Sequence, residues 1–371
     1  MSSTAGRDAD PEAGRRMSEA IFSRLVEALT RRWAVEVSRD GCVAIVSPRK
    51  DGGLAFVRDV CLHERESLLK LVEVCGAVVL RGFEVVDTKS YERLMTECCG
   101  LAPVFEADSL KKSQLILKAA DRAPRGSGTL LNLPVDPTLQ GPHIEYGWRS
   151  RRPRYISFWC EVEPRDMGET ALFDMGGSYT ALDERLRPCF DDCASIYPAY
   201  GERLAVDSVL IHPQTHRRCL VLWYFESPLA DHAVAAYRKT AHGRKNYFQE
   251  MRPNRAVNDP LLHLLVRDGG EFALSDAQKS ELMDCVYRNA QYVRWRRSDV
   301  LVIDNISVAH GRMPTHSPRR LVAGYWNEED VRQYSPRPGL ADDCPVAAGA
   351  SRSPEYVTRV ISEIRSGRFK M

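Results

Sequence analysis

Between Ser298 and Trp326 the chain alternates short apolar runs with turns, and that rhythm constrains the fold more than any other feature. Val300 to Ile303 is a continuous apolar run that stops at Asp304-Asn305. A second extended stretch carries His310, and a third begins at Arg320 and runs to Trp326. Runs this short, bounded by turn residues, read as buried strands rather than helices. Consecutive strands joined by tight turns pair as neighbours, and a sheet built this way must cover its apolar faces with a second layer.

The same grammar recurs along the chain. Ala77-Val-Val-Leu lies between Gly76 and Gly82 as a buried strand, and Tyr155–Val162 is an aromatic strand. Thr170–Phe173, Val206–Ile211, Cys219–Phe225 and Tyr292–Trp295 follow as shorter ones. Helical periodicity marks Met17–Val35, with Ile21, Leu25, Leu29 and Trp33 four residues apart. Helices are also expected over Glu64–Cys75, Ser90–Cys99, Asp231–Glu250, Ser275–Ala290 and Pro354–Ile364. Many short strands with a few flanking helices predict mixed β with helices, organised as a double-stranded β-helix or jelly roll. The expected organisation is a flexible tail over 1–16, one domain over 17–335 and an extension over 336–371. Within the domain, residues 121–142 are rich in Pro and Gly and read as a lid loop. Residues 231–260 read as a helical insertion.

Composition removes several functions. Fifty-two Lys and Arg against 50 Asp and Glu leave a net charge of +2, so no basic excess exists for nucleic acid. No apolar run is long enough to cross a membrane; the best stretch, Leu69–Leu80, carries Lys70 and Glu73. The first 16 residues lack the apolar core of a secretory signal. Eleven scattered cysteines, without a CxxC, fit reduced thiols of a cytoplasmic protein better than a disulfide frame or a zinc cage.

Chemistry enters at His143-Ile144-Glu145. On an extended segment, residues two apart share a face, so an imidazole and a carboxylate converge. With a second histidine from a distant strand they would make the two-histidine, one-carboxylate set of non-haem Fe(II) oxygenases. Nine histidines among so many carboxylates give about one such spacing by chance, so the context decides. His310 supplies that context from a strand 167 residues later. An arginine on the next strand is placed to hold a dicarboxylate through a two-pronged contact. Met167-Gly-Glu-Thr170 reads by itself as a turn whose threonine could donate to a carboxylate.

Taken in order, the HxE, the aromatic strand with its Gly-Glu-Thr segment, the DVLVIDN…AHGR block and the following Arg-Arg resemble the taurine dioxygenase/clavaminate synthase-like family. Gly76–Phe83 is similar to that family's N-terminal strand. The likeness spans roughly residues 70–326. It implies an Fe(II)- and 2-oxoglutarate-dependent dioxygenase that consumes O2 and releases succinate and CO2. It implies His143, Glu145 and His310 as iron ligands, and Thr170 and Arg320 as the 2-oxoglutarate contacts. Glu in place of Asp is similar to the clavaminate synthase and amino-acid hydroxylase branch. Gly324 stands where sulfonate-oxidising members carry another arginine, so a sulfonate substrate is disfavoured. The expected reaction is hydroxylation of an amino acid or an amino-acid-derived natural-product intermediate, free or carrier-bound. Desaturation or oxidative cyclisation, and a non-catalytic jelly-roll binding protein, are the alternatives.

Tyr146, Trp148 and Trp326 flank the proposed metal site, either stacking on substrate or packing the barrel mouth. Arg149, Arg151, Arg152 and Arg154 form a cluster that is either a solvated face or a dock for an acidic carrier protein. His212, His216 and His316 read as structural. The substrate is expected to be a small molecule; the oligomeric state is not legible.

Overall fold

The computed structural model describes residues 22–27, 29–30, 33–38, 42–49, 53–104, 128–133, 136–191, 193–199, 202–222, 229–253, 263–266 and 271–336. The 1–16 tail, the helix expected over Pro354–Ile364 and all but residue 336 of the C-terminal extension lie outside the described residues. In chain order the first strands are β1 (Trp33–Val37), β2 (Val43–Pro48), β3 (Ala77–Leu80), β4 (Gly128–Leu133), β5 (Thr138–His143) and β6 (Arg151–Val162). They are followed by β7 (Thr170–Asp174), β8 (Cys193–Ala199), β9 (Glu202–Asp207), β10 (Val209–Ile211), β11 (Arg218–Leu220) and β12 (Arg252–Pro253). The last are β13 (His263–Val266), β14 (Glu271–Ala273), β15 (Ala290–Val293), β16 (Val300–Asp304), β17 (Val308–Arg312) and β18 (Arg319–Asp330).

These strands form two main sheets. The larger has the order β1-β2-β3-β16-β6-β18-β4 and the smaller β12-β5-β17-β7-β15. Pairing is antiparallel except at β2/β3 and β12/β5. The sheets face one another across an apolar layer. Ile156, Phe158, Leu301 and Leu321 from the larger sheet meet Leu172, Val293 and Val308 from the smaller. The outer face of the larger sheet is covered by the helix Leu54–Cys75, through Leu68, Leu71 and Val72. The outer face of the smaller one packs on helices Ala230–Lys239 and Asp276–Arg288. The mixed β and helical class is therefore as expected, with open sheets. β16 explains its own sequence: paired on both edges and covered on both faces, every residue from Val300 to Asp304 is buried.

Three sequence expectations change. The N-terminal helix ends before Trp33, which opens β1 instead; its bulky side chain fills the core beside Phe83. Within the expected lid, residues 128–133 belong to strand β4 and residues 138–142 to strand β5. β4 takes the edge position beside β18, and an edge strand tolerates the glycines and prolines around it. Residues 121–127 and 134–135 lie outside the described residues. The insertion at 231–260 contains helices Ala230–Lys239 and Ala241–Asn246 and strand β12; residues 254–262 lie outside the described residues. No described helix is long and apolar enough to cross a membrane.

Candidate metal centre

His143 closes β5 and His310 sits at the middle of β17, directly opposite it across the ladder. A β-bulge sets their common direction. Between the pairs His310↔His143 and Arg312↔Gln140, β5 carries one residue more than β17. Leu139 faces the helices on the outside. The extra residue reverses the alternation, so His143 turns inward to join His310. Gly311 makes the bulge possible: a Cβ there would lie 2.5 Å from the Gln140 carbonyl oxygen.

Glu145 does not continue the strand, as the two-residue alternation assumed. It lies in the turn after β5, followed by Tyr146 in the left-handed region at φ 53°. Its carboxylate Oε2 nevertheless comes within 3.9 Å of His143 Nε2 and 3.7 Å of His310 Nε2. One potential ligand atom from each of the three residues falls within 4.8 Å of the others. It is the one such cluster among the described residues.

The protonation states suit a cation. The Gly141 carbonyl accepts from His143 Nδ1 at 3.0 Å, which leaves the Nε2 lone pair aimed at the cluster. Burial pushes His143 down to about 4, and burial with the neighbouring imidazole holds His310 well below its ordinary value. Both rings are neutral at pH 7. Burial pushes Glu145 up to about 7. Among the described residues no cation pairs with this part-buried carboxylate, which faces two neutral imidazoles. A divalent metal would stabilise all three ligating forms at once. The donor set of two nitrogens and one carboxylate, with no thiolate, fits Fe(II).

Two residues further along β17 and β7 the inner face becomes basic. Arg312 lies opposite Thr170 in the ladder and is buried. Its Nη2 donates to Asp136 Oδ2 at 2.7 Å and to Thr138 Oγ1 at 2.9 Å, while its Nε has no partner. Thr170 is buried beside it, and its hydroxyl oxygen accepts from Trp295 Nε1 at 3.1 Å. Arg319, also buried, donates through Nη1 to the Gly168 carbonyl and has an unpartnered Nε. Burial and the Arg312 charge push the Arg319 guanidinium down to about 9. Two buried guanidiniums therefore sit in one neighbourhood with an incompletely balanced positive charge.

Arg320, the residue expected here, takes another position. Its side chain is 39% exposed and paired with Glu161 at 2.5 Å. Along β18, Leu321 and Ala323 face the intersheet layer while Val322 and Trp326 face the helix side. Arg319 shares parity with the first set and Arg320 with the second. Trp326 is likewise removed from the metal cluster: it is buried on the far face, donating to Ser157 Oγ at 2.6 Å and packed edge-on to Tyr91. Gly324 faces that side too, since a Cβ on it would meet Tyr91 Oη and Trp326 at 2.6 Å. The face toward the layer offers Ala323 and then Tyr325 instead.

Tyr146 directly follows Glu145, its ring 5.8 Å from that of Tyr325 and 6.2 Å from that of Trp148. Trp148 is packed into the outer core, with Arg149 over its ring at 4.5 Å. The arginine cluster is not one surface. Arg151 is exposed beside Glu328, whereas Arg152 and Arg154 are buried. His212 is a buried structural residue, 2.6 Å from Asp304 through Nε2, and His316 packs on Phe248. The sequence reading missed Arg319, Arg312, Asp136 and Asn305. The short motifs HGR and DN are visible in the sequence, but nothing in them says which way a side chain points.

Two facing, mostly antiparallel sheets with two inward histidines and one carboxylate form a candidate non-haem metal centre. A profile of the Taurine catabolism dioxygenase TauD, TfdA family matches residues 48–326. The chain belongs to that family, whose cofactor Fe(II) and cosubstrate 2-oxoglutarate it shares. No curated protein matches the chain. Among solved structures it is similar to PvcB from Pseudomonas aeruginosa, at 16% identity and a TM-score of 0.52, over 79% of this chain and 90% of that one. Another PvcB structure, described as an Fe, alpha-ketoglutarate dependent oxygenase from an isonitrile synthetic pathway, matches at 15% identity, TM-score 0.51, with the same coverages. A taurine dioxygenase from Burkholderia xenovorans matches at 15% and 0.51, over 79% and 90%. At these identities the likeness is one of fold.

Proposed function

We propose that this protein is an Fe(II)- and 2-oxoglutarate-dependent hydroxylase of a small molecule, an amino acid or an amino-acid-derived natural-product intermediate. The observation that carries it is the spacing of two neighbouring sites. His143, Glu145 and His310 would hold the iron. Arg319, with Arg312 and Thr170 beside it, would hold the far carboxylate of 2-oxoglutarate. Arg312 and His310 are two residues apart on one strand face, about 7 Å. That separation suits a five-carbon dicarboxylate whose keto-acid end lies at the metal. Arg319 takes the role expected of Arg320, because it is the guanidinium that is buried and incompletely paired. The iron supplies O2 activation and C–H oxidation coupled to decarboxylation of the cosubstrate.

The chain's own part is binding, orientation and exclusion of water. Arg319 and the Thr170 hydroxyl fix one end of the cosubstrate. Phe158, edge-on to the His310 ring at 5.3 Å, keeps that side of the cluster dry. Tyr146 and Tyr325 form an aromatic wall on which a substrate would rest. Beyond Arg319, the inner face of β18 offers Ala323 and Tyr325 rather than a second cation, which favours a substrate without a sulfonate. Glu145 in place of Asp supports the amino-acid branch. The two sheets are read as the two halves of a jelly roll. A carrier protein stays a candidate partner without the four-arginine dock. The cytoplasm is the compartment that the cysteine pattern favours.

The test is anaerobic. Fe(II) and 2-oxoglutarate added to the purified protein are expected to give a visible metal-to-ligand charge-transfer band, absent in His310→Ala and weakened in Arg319→Ala. Folded native protein without a band would overturn the reading. With O2 and candidate amino acids, a product heavier by one oxygen supports hydroxylation; loss of two hydrogens would show desaturation or ring closure instead.

A further inference from the structure

Glu145 stands outside any strand, yet a ligand to a metal must be held in place. Its backbone is gripped from 160 residues away. Asn305 Oδ1 accepts from the Glu145 N–H at 2.9 Å, and Asn305 Nδ2 donates to the Glu145 carbonyl at 2.9 Å. The same Nδ2 donates to the Pro153 carbonyl, again at 2.9 Å. One buried amide thus closes a two-point clasp on the residue and ties it to the start of β6. The left-handed Tyr146 that follows is the turn this clasp holds shut.

Asn305 is itself fixed. Its N–H donates to the Arg154 carbonyl at 2.9 Å. The preceding Asp304 accepts from His212 Nε2 and from Ser307 Oγ, both at 2.6 Å, and lies 3.4 Å from the Arg154 guanidinium. All of these side chains are buried. The β16–β17 turn is therefore rigid, and the strand leaving it delivers His310. One turn holds the carboxylate by a clasp and the second histidine by chain continuity.

We propose that Asn305 is the positioning residue for Glu145, setting metal affinity through the backbone of the ligand rather than by touching the metal. The inference rests on the reading of Glu145 as a ligand. Only an amide of this length fits. Aspartate keeps the acceptor for the Glu145 N–H but loses both donations, and alanine loses all three. Partners that orient metal ligands are worth about 10- to 100-fold in affinity.

The experiment is an anaerobic Co(II) titration followed by d–d absorption, without cosubstrate, on the full chain. The variants are Asn305→Ala, Asn305→Asp, Glu145→Ala and the Glu145→Ala/Asn305→Ala pair, each checked by near-ultraviolet circular dichroism. Asn305→Ala and Asn305→Asp are each expected to weaken Co(II) about 10- to 100-fold. In the Glu145→Ala background, the same Asn305→Ala change is expected to cost less than about threefold, because its target is gone. Equal losses in both backgrounds would overturn the proposal and mark Asn305 as a general structural residue. Unchanged affinity in the folded single variants would overturn it too. If Glu145→Ala itself leaves Co(II) affinity intact, the metal-ligand reading fails first, which is a distinct outcome. If Asn305→Ala does not fold, Asn305→Asp alone and in the Glu145→Ala background decides by the same comparison.

Discussion

Arg319 and Arg320 are neighbours in sequence whose side chains end on opposite faces of β18. Arg319 is buried against the Gly168 carbonyl, and Arg320 is half-exposed against Glu161. On the proposed reading the pair divides one charge motif into a cosubstrate contact and a surface ion pair. Arg319→Ala is expected to weaken 2-oxoglutarate by about 2–4 kcal/mol, roughly 30- to 1,000-fold, because a desolvated charge contact is lost. Arg320→Ala is expected to stay within about threefold, as exposed ion pairs do. Binding measured by the charge-transfer band checks both; the reverse order would restore Arg320 to the role.

Metal should stabilise the fold. The three ligands converge only in the folded chain, so Fe(II) or Co(II) at a hundredfold above its Kd is expected to add about 2.7 kcal/mol. Thermal unfolding with and without metal measures this, and a chelator should reverse it. His310→Ala is expected to abolish the shift. A shift that survives that substitution would place the ion elsewhere.

Gly311 is expected to be irreplaceable. A Cβ would meet backbone, the Gln140 carbonyl at 2.5 Å and the Gly141 carbonyl at 3.1 Å, and neither can rotate away. Gly311→Ala should cost about 1–3 kcal/mol of stability from overpacking. It should also weaken metal by displacing His143 across the bulge. Urea unfolding and Co(II) titration read the two effects separately.

Asp304 makes stability pH-dependent. The Arg154 cation and His212 hold its carboxyl down to about 2, against an ordinary value of 3.8. A depressed folded pKa means that the unfolded chain takes up protons first as the pH falls. Its contribution, about 2 kcal/mol, is thus complete above about pH 5 and is lost progressively between about 5 and 1. Urea midpoints at pH 6, 4 and 3 should fall in that order, and Asp304→Asn should flatten the part of the slope that belongs to this group.

The strands and helices that frame the site were largely readable because their signals are local. β3, β6, β7 and β16 are bounded by glycine or turn residues and filled with apolar or aromatic side chains. The helix Asp276–Arg288 falls within the expected range Ser275–Ala290, and its start is held by the Ser275–Gln278 capping box. The stretch 121–142 carries a loop signal for the same reason. Glycine and proline mark loops locally, yet β4 and β5 are strands whose neighbours, β18 and β17, lie far along the chain.

Short buried strands in alternation, the chemical types brought to the site and the family they belong to are all written locally in the residues. His143, Glu145, His310 and Thr170 were nameable without coordinates, because the chemistry requires those residue types and their order is distinctive. Which of two adjacent arginines turns inward, the bulge at Gly311 that aims His143 and the clasp of Asn305 on the turn holding Glu145 emerge only when distant strands pair. The cause is the period of the β-strand. Side chains alternate faces every residue, so a single extra residue in a ladder reverses the direction of all that follow it. Where that extra residue falls is set by partner strands more than a hundred positions away, and no local pattern records it.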